Sequence, residues 1–165
     1  MNLWRLDCGA QTILVGGDEN LAEVFYWGAL LPESENLKSI WNITRLDYSG
    51  GVLDGVPALS ICPEVSKTFN GHPGMRIRGA SGKRLYPSFK LTDVKFSDTS
   101  LLLEYQDREL GLTYKANFLA HNETSVFELS ASLAADKDIL VDWFAAPVLP
   151  ATQAAKKMID FSGHW

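Results

Sequence analysis

Val126-Phe127-Glu128-Leu129-Ser130-Ala131-Ser132-Leu133 alternates apolar and polar side chains almost without a break. Phe127, Leu129, Ala131 and Leu133 fall on one side, and Glu128, Ser130 and Ser132 fall on the other. A period of two belongs to a strand with one buried face, and no helical face gathers the same apolar residues. Working outward, residues 101–105, 112–120 and 139–144 have similar β-rich character. The separators at 106–111, 121–124 and 134–138 are short and polar, rich in Asp, Asn and Gly. Separators of that kind suit hairpin turns, so the second half is expected to be an antiparallel meander.

Upstream, the apolar phase slips: Phe89 and Leu91 share one parity, Val94 and Phe96 the other. A β-bulge near Thr92 and Asp93 would absorb the extra residue and turn both pairs to the core. Candidate strands at 3–7, 12–15, 23–27 and 75–78 are punctuated by Gly16-Gly17-Asp18 and Gly50-Gly51. Residues 49–86 are dense in Gly, Pro and Ser and read as a long irregular excursion, of the kind that often faces a partner. Residues 147–157 are too short for a stable helix without packing. The expected architecture is all-β, an antiparallel β-sandwich in a single domain over residues 1–165.

A net charge of −5 argues against nucleic acid as a partner, because that binding rests on Lys and Arg displacing counterions. Cys8 and Cys62 sit among apolar or small residues with no metal-ligand spacing and read as buried reduced thiols. The start lacks a basic stretch followed by an apolar run, and no segment is apolar for long enough to span a bilayer. A cytoplasmic protein without a membrane partner is the expectation.

No nucleophile with a base, metal cluster or phosphate loop stands out, so no catalytic, cofactor or metal residue is assigned. His72, His121 and His164 lie in a Gly-Pro loop, a turn and the last two residues, and read as solvent-exposed. The run from Gly79 to Arg84 lacks the spacer of a phosphate loop and reads as a turn. Glycosidases need two carboxylates astride the scissile bond, but nothing selects a pair from 20 acidic residues. Aromatic faces stack on sugar rings. Core packing accounts for Trp4, Phe25, Trp27, Phe127 and Phe144, whereas Trp41 and Tyr86 are better candidates for exposure, either as a sugar platform or as a lid over one end of the sandwich.

Several fragments together resemble the amino-terminal region of glycoside hydrolase family 36, the α-galactosidases. They are Phe25-Tyr26-Trp27-Gly28 with Leu30-Leu31, Cys62-Pro63-Glu64 with Gly71-His72-Pro73, Leu112-Thr113-Tyr114 through Asn122-Glu123-Thr124, and Ile159-Asp160-Phe161-Ser162-Gly163-His164-Trp165. Their order and approximate spacing agree along nearly the whole chain. The family's Asp and Arg after the Pro-Glu step are replaced here by the segment from Ser66 to His72.

The resemblance implies the leading, non-catalytic part of a β-supersandwich. In the family it is followed by a (β/α)8 barrel carrying the two catalytic aspartates of a retaining α-galactosidase. With Trp165 as the last residue here, the catalytic machinery is expected elsewhere. The implied partners are that barrel, an α-galactoside bound through it, and further copies in a homo-oligomer, with the loop from Pro63 to Pro73 lent to a neighbouring subunit's pocket. Trp41, Phe69, His72 and Tyr86 are the candidate substrate-contacting residues. The alternative is a free-standing carbohydrate-binding module that uses Trp41, Phe69 and Tyr86. A self-contained enzyme is disfavoured by the missing constellation. The stretch from Pro150 to Trp165 is expected to need a surface on which to cover its apolar residues.

Overall fold

The computed structural model describes residues 1–44, 59–151 and 156–157. Among the described residues, ten strands form three antiparallel sheets, joined by one short α-helix and a single 3-10 turn. The first contains β1 (Asn2–Cys8), β2 (Gln11–Gly17) and β3 (Glu23–Ala29) in that order. The second has the order β10 (Ile139–Phe144), β4 (Met75–Gly79), β5 (Arg84–Leu85). The third is the meander β6 (Lys90–Ser97), β7 (Ser100–Asp107), β8 (Leu112–His121), β9 (Val126–Ala135). Helix α1 (Leu37–Thr44) follows β3, and its Asn36 side chain caps it by accepting the Ser39 N–H at 3.1 Å.

The period of two becomes burial. Along β7 and β8 every second residue is buried, giving Leu101, Leu103 and Tyr105 facing Leu112, Tyr114, Ala116 and Phe118. One cluster joins these to Leu6, Ile13, Val15 and Val24 of the first sheet and to Met75 and Ile77 of the second. The apolar face of β9 packs against this cluster from the sheet edge and stays partly open. On the opposite face, Lys115 and Glu104 are direct cross-strand partners and form an ion pair at 2.7 Å. The turn between β7 and β8 closes on the buried Asp107 carboxylate, which accepts the N–H groups of Glu109 and Leu110, and on Gly111 at φ +64°.

The expected bulge in β6 is present as a register shift between Leu91 and Asp93. It brings Leu91 and Val94 against the core but leaves Phe96 at 51% exposed, so the second expected pair is only half buried. The core assignment for Phe25 and Trp27 is also corrected. A register shift in the β2–β3 ladder sends Val24 inward, leaving Phe25 half-buried and Trp27 exposed with its indole N–H donated to Gln11. Trp4 is buried, while Phe127 and Phe144 pack against the core from its margin. Cys8 and Cys62 are buried free thiols. Gly50-Gly51, most of the tail after Pro150 and His164 lie outside the described residues.

Candidate functional site

The segment from Ile61 to Gly74 is a loop tied at both ends. Ile61 donates its N–H to Ala22 and accepts that of Val148, each at 2.8 Å, and Gly74 donates to Pro63 at 3.0 Å. Pro63 and Pro73 are buried, so the loop base is anchored while residues 65–68 and 70–72 are exposed. Inside it, Val65–Lys67 forms a single 3-10 turn ending at Thr68 in the left-handed region, φ 62°. Glu64 accepts the Phe89 N–H at 2.8 Å and the Ser66 hydroxyl donates to the Pro87 carbonyl, which pins the turn to the entry of β6.

Between this loop and β4–β5 lies a groove of about 410 Å³. Buried Cys62, Met75, Ile77 and Phe89 line it together with Phe69, Tyr86, Glu64, Arg76, Arg84 and Asp142. Burial is the main reason that the Glu64 carboxyl is held above its ordinary range, against the opposing Phe89 N–H. Burial also pushes the Cys62 thiol up to about 12, so it is no nucleophile near neutral pH. Asp142 is held below the usual carboxylate range, first by its hydrogen bonds with Arg78 and further by the charges of Arg78, Arg84 and Arg76.

The groove brings together two of the four candidate residues, Phe69 and the 54% exposed Tyr86. His72 lies outside its lining and meets Trp143 edge-on, with ring centroids 4.9 Å apart. Trp41, expected to be exposed, is buried at 6% because helix α1 lays it against Phe25, centroids 5.1 Å apart at 85°. It borders a different pocket, with Asp18 and Glu23. Sequence reasoning missed Arg76, Arg84, Asp142 and Trp143; the alternation Met75-Arg76-Ile77-Arg78 carried the signal, since its inward residues fix the arginines outward. Among the described residues, no group of His, Cys, Asp or Glu is arranged to hold a metal ion, and no helix is long and apolar enough to cross a membrane.

No protein-family model matches the chain, and no curated protein matches it in sequence. Solved structures do match in fold. The GH36 alpha-galactosidase AgaA from Geobacillus stearothermophilus, as a variant in complex with raffinose, is similar with a TM-score of 0.68 at 14% identity. An alpha-galactosidase from Lactobacillus brevis is similar with a TM-score of 0.65 at 12% identity. The matches cover 88% and 87% of this chain but only 24% and 23% of those chains, so this chain spans about a quarter of their length.

Proposed function

We propose that this chain is the non-catalytic amino-terminal β-sandwich domain of a GH36-type α-galactosidase and that it packs on a catalytic barrel. The observation that carries this reading is the fold match over 88% of the chain to about a quarter of each α-galactosidase, in company with the ordered sequence fragments from Phe25 to Trp165. The anchored loop from Pro63 to Pro73, with Phe69 and His72 on it and Tyr86 beside it, is the part that reaches a neighbouring subunit's substrate.

The test compares the 165-residue chain with the full product of its reading frame on a nitrophenyl α-galactoside and on raffinose. Turnover by the full product and none by the chain is the expected result. Turnover by the purified chain, or a full product without a barrel, overturns the reading. A second reading, a free-standing carbohydrate-binding module, is favoured by Phe69 and Tyr86 sharing one groove. Saturable binding of neutral glycans on an array would support it over a purely structural domain.

A further inference from the structure

The outward face of the sheet β10-β4-β5 carries an unusual row. Arg76 stands opposite Trp143 on β10, and Arg78 stands opposite both Leu140 on β10 and Arg84 on β5. Tyr86 follows β5 at the position where the same register faces Arg76. Trp143 and Tyr86 are 46% and 54% exposed, so Arg76 is flanked by two open aromatic rings.

Asp142 bulges out of β10 between these rows and gives both carboxylate oxygens to Arg78, at 2.7 and 2.6 Å. That pair is closed. Arg76 and Arg84 have no hydrogen-bond or ion-pair partner among the described residues, although both add to the field that holds the Asp142 carboxyl low. Arg78 and Arg84 are like charges directly opposite each other, offset by the Asp142 carboxylate on Arg78, which leaves the hydrogen-bond donors of Arg84 unengaged. Three guanidiniums against one carboxylate also make this face basic on a chain whose net charge is −5.

We propose that this face binds a ring that carries a carboxylate, the carboxylate taken by Arg76 and Arg84 and the ring laid on Tyr86 at the mouth of the Phe69 groove. Arg presents a planar fork that matches a carboxylate through two parallel hydrogen bonds, and the open aromatic ring accepts a sugar or aromatic face. A long polyanion is a poor fit, because two free arginines release few counterions and the rest of the chain repels it. The inference stands on the residues of this face and does not depend on the chain being part of an α-galactosidase.

The ring can come from a sugar acid or from an aromatic acid, and the experiment separates them. The whole chain, labelled with ¹⁵N, is titrated with galacturonate, galactose, phenylacetate and inorganic phosphate while the Arg Nε–H and backbone resonances are followed. Saturable galacturonate binding that shifts Arg76, Arg84 and Tyr86 is expected, weakened by salt and by about tenfold or more in Arg76→Gln/Arg84→Gln. The variant's unperturbed core resonances check its fold. Tighter binding of phenylacetate at the same residues keeps the carboxylate site and assigns its ring to the aromatic class. Galactose or phosphate binding as tightly as both carboxylates, affinity unchanged in the double variant, or no shift with either carboxylate overturns the proposal.

Discussion

Tyr105 and Tyr114 are register partners across the β7–β8 ladder, their rings 6.0 Å apart and both fully buried, yet only Tyr105 has found a partner for its hydroxyl. The Tyr105 oxygen accepts the Ala22 N–H at 3.2 Å and so joins the first sheet to the meander. The Tyr114 hydroxyl meets no hydrogen-bond partner among the described residues. Burial raises both phenols well above the ordinary range, so neither ionises in the folded chain at neutral pH.

The two substitutions to Phe are therefore expected to diverge. Tyr114→Phe removes an unsatisfied polar atom and should be neutral or stabilising, whereas Tyr105→Phe orphans the Ala22 N–H and should cost about 1–3 kcal/mol. Urea denaturation of both variants measures the difference. Equal losses would show that the Tyr114 hydroxyl is satisfied in solution.

Gly16 and Trp41 make a second coupled pair. A Cβ on Gly16 would stand 2.4 Å from indole Cζ3 and 2.9 Å from Leu3 Cδ2, so the bare backbone is what lets the indole lie on β2. Gly16→Ala should cost about 1–3 kcal/mol by overpacking. Trp41→Ala should cost less in that background than alone, because the ring that clashes is gone. A double-mutant cycle by chemical denaturation reads the coupling, and strict additivity would refute the contact.

The strands that could be read from sequence are those with one dry face. In β7, β8 and β9 every second side chain meets the core, and the pattern of the fold is the pattern of the chain. Reading failed where a bulge changed parity, as at Val24 and Phe25, since the shift depends on how the strand pairs with Leu14 and Val15. It also failed for Trp41, whose burial is set by a tertiary contact with Phe25 and by the absence of a side chain at Gly16. The site divides in the same way. Phe69 and Tyr86 stand out as aromatics in an irregular segment, but Asp142 lies 64 residues from Arg78 and only strand pairing joins them.

Glu64 gives a pH signature. Its folded carboxyl titrates above its ordinary value of 4.5, chiefly through burial, with Asp107 adding to the rise and Lys67, Lys90 and the Phe89 N–H opposing it. A carboxyl raised on folding favours the folded state below the unfolded value, and this contribution is lost as pH rises through the folded value. Stability of the wild type is thus expected to fall across that window on account of this group. Glu64→Gln keeps an oxygen to accept the Phe89 N–H while removing the buried charge. Its denaturation midpoint should depend less on pH and exceed that of the wild type at neutral pH. A parallel pH dependence in the two proteins would exclude burial of the Glu64 charge as the cause.

β6 ends the meander and β10 ends the second sheet, and neither pairs with a further strand among the described residues. The outer edge of β6 is guarded by Lys90, Asp93 and Lys95, the kind of charged edge that resists pairing with another chain. The outer edge of β10 is not. Its sequence is Ile139-Leu140-Val141-Asp142-Trp143-Phe144; its one charge is engaged by Arg78, and Leu140 and Val141 are 50% and 52% exposed. Unsatisfied ladder groups beside open aliphatic side chains form a template for a second copy, against which the net charge of −5 gives only long-range repulsion. The isolated chain should therefore associate with rising concentration, and more readily as salt screens that repulsion. Val141→Lys places a charge on the exposed edge without touching the Arg78–Asp142 pair, so it should shift the sedimentation-velocity profile towards monomer while leaving the unfolding midpoint nearly unchanged. A wild-type chain that stays monomeric throughout the concentration range, or a Val141→Lys variant that associates as strongly, would show that β10 is not the edge through which copies meet.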